Sequence, residues 1–116
     1  MIQNNEGEAE MSSWKVVAQV DDIFGEEPCA VSIDGLRVAL FNVEGCIYAI
    51  EDRCPHDKTA KLSEGYVDGA TIECPIHQSC FDIRTGKVLS RPAESDVRRF
   101  VTRVEDGKIS IELDPA

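Results

Sequence analysis

Cys54-Pro55-His56, then 17 residues, then Cys74-Pro75-Ile76-His77: the only two histidines of the chain each follow a cysteine at a short, fixed spacing. Thiolate and imidazole are both good ligands for iron and zinc, and a loop that presents them one or two residues apart can aim both at one centre. Proline after each cysteine fixes φ and limits the shapes open to each loop, which holds the donors ready before a metal arrives. Any one of the four alone would be an ordinary buried cysteine or a satisfied histidine. Four at paired spacing point to a metal centre, either an iron-sulfur cluster or a mononuclear zinc knot, and Cys-x-His with Cys-x-x-His departs from the known zinc spacings.

Outward from these loops the pattern is β. Residues 14–20 begin it, and residues 21–27 read as a helical turn or loop ending at Pro28. Residues 29–33 and 36–42 flank Asp34-Gly35, a two-residue hairpin signal, because that turn needs positive φ and glycine supplies it without a Cβ clash. Glu44-Gly45 makes a second hairpin whose returning strand, residues 46–50, runs directly into the first Cys-Pro-His. Asp68-Gly69 precedes a short strand at residues 71–73 that delivers the second ligand pair, so both loops are expected to leave successive strand ends. Gly65 and Gly69 would let the segment between them turn back sharply. Residues 80–82 lead into a turn at Arg84-Thr85-Gly86. The chain closes with a strand at residues 97–104, a turn at Asp106-Gly107, and a final strand at residues 108–113 with period-two alternation. No internal repeat and no long helix is evident.

A chain of 116 residues is one domain's worth, with no room for a separate substrate-binding domain. The expected division is an acidic tail at residues 1–12, with Met11 an alternative start, followed by one domain at 13–116 whose ligand loops occupy about 53–82. Twelve basic against 22 acidic residues give a net charge of −10, which argues against nucleic acid and anionic membranes and favours basic protein partners. The first ten residues carry neither positive charge nor an apolar run, and no later stretch would span a bilayer, so the expected location is the cytoplasm. Five cysteines are an odd number for a disulfide framework. Cys29, Cys46 and Cys80 fall in or beside apolar strands and read as small buried hydrophobes.

Cys54-x-His56 with Cys74-x-x-His77, Pro75, Phe81 and Arg84-Thr85-Gly86-Lys87 resemble the Rieske 2Fe-2S family. The resemblance covers residues 14–113, and the segment from Leu62-Ser63-Glu64-Gly65 through Gly86 is most similar to the small Rieske-type ferredoxins of bacterial aromatic-ring-hydroxylating dioxygenases. It implies an all-β fold, an antiparallel β-sandwich or barrel with a small cluster-binding subdomain made of two loops. It further implies one 2Fe-2S cluster per chain, with Cys54 and Cys74 on one iron and His56 and His77 on the other. Two anionic thiolates would keep their iron ferric, while two neutral imidazoles leave the other as the electron acceptor and raise the potential, which in this family spans about −150 to +300 mV.

Within the family, high-potential members carry a disulfide at positions held here by Thr59 and Ile76, and a tyrosine hydroxyl where this chain has Phe81. Both departures imply a low-potential centre. Ser79 falls where a serine donates to a bridging sulfide and would correct the potential upward. Arg91-Pro92-Ala93 resembles the proline-bearing loop that covers the cluster, or is a plain connecting turn. Gln78 replaces a common glycine, and the segment from Asp57 to Lys61 lacks another. Lys58 and Lys61 are either solvated surface lysines or part of a docking rim.

The function so implied is that of an electron carrier with no catalytic residue of its own. It would take one electron from a flavin-containing NAD(P)H reductase and pass it to a terminal oxygenase with its own Rieske centre, working as a monomer. The alternatives are an electron-transfer subunit of a monooxygenase or nitrite reductase, a zinc-stabilised binding module, and a cluster-based redox sensor.

Overall fold

The computed structural model describes residues 13–57 and 59–113; the tail at 1–12 and Lys58 lie outside the described residues. Among the described residues, eleven antiparallel strands form three sheets. The first sheet has the order β1 (Ser13–Gln19), β11 (Lys108–Leu113), β10 (Thr102–Glu105). The second runs β2 (Cys29–Ile33), β3 (Leu36–Val43), β4 (Cys46–Glu51), β9 (Arg99–Phe100). The third, which carries the second ligand loop, runs β5 (Tyr66–Asp68), β6 (Thr71–Glu73), β7 (Cys80–Asp82), β8 (Val88–Ser90).

Strand β3 explains the layering. Its run Val38-Ala39-Leu40-Phe41 is apolar without alternation and buried throughout, the signature of a strand covered on both faces. Val38 and Leu40 face one way, packing with Ala49, Phe100, Ile109 and Ile111 between the first two sheets. Ala39 and Phe41 face the other, packing with Ile50, Ile72, Phe81 and Ile83 toward the third. The period of two along one strand thus feeds two cores.

The turns follow the local chemistry. Asp34-Gly35, Glu44-Gly45 and Asp106-Gly107 all have both central residues at positive φ, the type I′ geometry that matches strand twist. The segment expected as one strand at 97–104 instead breaks at Val101. Phe100 pairs with Ala49 in the second sheet, whereas Thr102 pairs with Ile111 in the first. The Val101 carbonyl accepts from the Glu112 N–H, and the Thr102 hydroxyl donates to the Ile47 carbonyl at 2.7 Å, so the corner is pinned to both sheets. The two ligand loops likewise leave β4 of the second sheet and β6 of the third, not consecutive strands of one sheet.

The outlying cysteines correct the expectation of burial. Cys46, at the exit of a hairpin turn, is exposed, and Cys29 and Cys80 are only half-buried. Cys46 begins a strand beside a solvent-facing turn, where an apolar residue type does not imply a covered position.

Candidate metal centre

The first loop begins where β4 ends. Asp52 is buried, its carboxylate accepting from both the N–H and the hydroxyl of Ser63, each at 2.7 Å. That clamp joins the start of the ligand loop to the short 3₁₀ turn Leu62–Glu64 that closes it. Inside it the Cys54 N–H donates to the Ala60 carbonyl, and the Ala60 N–H donates to the Asp57 carbonyl at 2.9 Å. Gly65 then passes so close to β6 that a Cβ there would run into the Glu73 carbonyl oxygen. Absence of a side chain, not positive φ, is what this position needs.

The second loop is a tight turn on itself. The Cys74 N–H donates to the Ser79 carbonyl at 2.7 Å and the Gln78 N–H to the Cys74 carbonyl at 3.1 Å. Gln78 takes φ of +67°, which accounts for glycine being at ease at such a position; a side chain there costs about 1–2 kcal/mol. Arg91-Pro92-Ala93 is no plain turn. Ala93 is buried in the same core as Cys54 and Cys74, and its N–H donates to the Ser79 Oγ at 2.8 Å. Ser79, itself fully buried, therefore spends an acceptor lone pair on the proline-bearing loop and keeps its own proton to donate.

The four candidate donors are brought together and sorted by depth. Cys54 and Cys74 are fully buried members of the core that also holds Phe81 and Ala60, while His56 and His77 are exposed. The two imidazoles meet edge to face with centroids 4.9 Å apart. Burial pushes the Cys54 thiol above its ordinary value, against the backbone N–H groups of Asp57 and His56 that work to lower it, and a bound metal would supply the charge that makes it a thiolate. Two thiols below and two imidazoles above fit a binuclear group spanning the two layers better than a single zinc ion. Phe81 is buried in the same core as both cysteines and has no hydroxyl to offer their sulfurs.

Two features escaped the reading of the sequence. The Asp52–Ser63 clamp has no motif, since its partners lie 11 residues apart and neither is a ligand type at ligand spacing. Asp57 does have one: a carboxylate two residues before Thr59, whose N–H and Oγ donate to Asp57 Oδ1 at 3.0 and 2.6 Å, is a recognisable Asx turn. The hydroxyl and then the amide of Thr59 hold this carboxyl below the usual carboxylate range. Of the two lysines, Lys61 is exposed and Lys58 lies outside the described residues.

Comparison with known proteins agrees with this geometry. Residues 13–101 match the Rieske [2Fe-2S] domain model. A Ralstonia sp. ferredoxin component of naphthalene 1,2-dioxygenase/salicylate 5-hydroxylase systems is 35% identical over 102 residues, covering 88% of this chain and 97% of the relative. The Sphingomonas yanoikuyae B1 ferredoxin superposes with a TM-score of 0.80 at 33% identity, over 85% of this chain and 97% of that one. A chain in the complex of reduced oxygenase and oxidised ferredoxin in carbazole 1,9a-dioxygenase gives a TM-score of 0.78 at 33% identity, over 84% and 91% of the two chains. With buried thiols, surface imidazoles and a proline-bearing loop in one construction, the chain belongs to the Rieske [2Fe-2S] domain family.

Proposed function

We propose that Cys54 and Cys74 ligate one iron and His56 and His77 the other iron of a 2Fe-2S cluster, and that the chain is the ferredoxin of a ring-hydroxylating dioxygenase system. The bound cluster supplies one reversible electron. What the protein supplies is the environment: thiolates in a dry core, and imidazoles whose exposed edges give an electron its shortest way out. The burial contrast between the two cysteines and the two histidines carries this reading. The similarity to a chain of a complex between a reduced oxygenase and an oxidised ferredoxin supports a terminal oxygenase as the electron acceptor. A flavin-containing reductase is the donor that such a one-electron carrier needs.

The protein acts as a monomeric shuttle. A net charge of −10 suits fast, salt-sensitive docking on basic patches, which lets a carrier bind and leave. Phe81 in place of a hydroxyl donor favours a potential in the lower part of the family range. Purified protein should contain iron and acid-labile sulfide and, with NADH, a reductase and a terminal oxygenase, support hydroxylation that slows as ionic strength rises. Zinc in place of iron, or turnover unaffected by omitting the chain, would refute the assignment.

A further inference from the structure

Asp57 reaches across from the first ligand loop to the second. With Oδ1 taken by both Thr59 donors, its other oxygen, Oδ2, lies 3.7 Å from His77 Nε2. That is longer than a hydrogen bond, yet within the range at which the carboxylate's charge acts on the ring. The two side chains are 28% and 47% exposed, so water screens the contact only in part. A carboxylate facing Nε2 favours the proton on that nitrogen and would leave Nδ1 for a metal, the tautomer preference that carboxylates impose behind ligating histidines.

We propose that Asp57 is a positioning and potential-setting residue: its carboxylate orients His77 and holds the reduction potential of the centre below the value that a neutral residue would give. This rests on His77 being a ligand of the reducible iron. An added electron places negative charge on a site already facing a fixed anion, so the oxidised form is favoured. The contact joins the two loops, so one side chain governs both the aim of an imidazole and the field across it. Lack of a tyrosine donor at Phe81 and the presence of an anion at Asp57 then act in the same direction.

The test compares holoprotein of the wild type, Asp57→Asn and Asp57→Ser, each first checked for iron, sulfide and the EPR signal of the reduced cluster. Both variants keep an oxygen acceptor for Thr59 and lose the charge. The midpoint should move positive in both, by roughly a tenfold change in the reduced-to-oxidised ratio, or about 59 mV for one electron, at low salt. The gap from wild type should shrink as ionic strength rises. Cluster-bearing variants with the wild-type midpoint, or with a shift indifferent to salt, would overturn the role of Asp57 and leave the ligand assignment standing. Loss of the cluster from both variants would overturn it in favour of a structural role. A wild-type protein without the cluster would end both.

Discussion

The two hydrophobic cores lie on opposite faces of the same strand and do different work. The one between the first and second sheets is made of aliphatic side chains and Phe100, and holds none of the four proposed ligands. The one toward the third sheet counts Cys54 and Cys74 among its members, with Ala93 of the proline-bearing loop and Leu62 of the first loop. In the first core packing is an end in itself; in the second the same close packing sets the dryness around two sulfurs. Substitutions in the two cores should therefore differ in whether the cluster reports them.

The largest effect is expected at a sulfur. Cys74→Ala should abolish the cluster and, because metal binding is folding free energy, lower the thermal midpoint of the protein; full iron content would sever the link between this core and the centre. Next is Phe81→Ala, a large-to-small change in the site-bearing core, which should cost about 3–5 kcal/mol in denaturant titration and also shift the cluster's visible spectrum. Its counterpart across β3, Ile111→Val, should cost about 0.5–1.5 kcal/mol and leave spectrum and midpoint potential unchanged. A shifted potential there would mean that the cores are not separate.

The smallest expected effect is the pH dependence at Asp82. Partial burial works to raise its pKa, but the backbone N–H, side chain and charge of Arg84, with help from Thr85, outweigh it, so the carboxyl lies below its ordinary value. A depressed carboxylate contributes stability that is present above the unfolded pKa and is lost as pH falls through the folded one. Acid unfolding of Asp82→Asn should lack that increment below the ordinary aspartate range; an identical acid profile would remove Asp82 from the account.

What could be read in advance depended on how local its cause is. The three Asp/Glu-Gly hairpins were legible because two residues alone determine a turn with positive φ. The four donors were legible because ligand spacing is a property of one loop at a time. The sheet switch at Val101 was not, since nothing in residues 97–104 says that Phe100 pairs with β4 and Thr102 with β11. Strands β5 and β8, of three residues each, are too short for alternation to register and exist because β6 and β7 offer them edges. The place of Ser79 in the sequence points to its proton, whereas its acceptor bond from Ala93 depends on a loop 14 residues away. Cys46 shows the limit of composition, a residue type usually buried standing exposed beside a turn.

On the proposed assignment, imidazoles at the surface, not thiolates in the core, hold the iron that accepts the electron. Pulsed EPR of the reduced holoprotein grown with ¹⁵N-histidine addresses it directly. Two histidine nitrogens should show hyperfine coupling to the reduced cluster, with one lost in His77→Cys. A paramagnetic reduced cluster showing no histidine nitrogen coupling would contradict it.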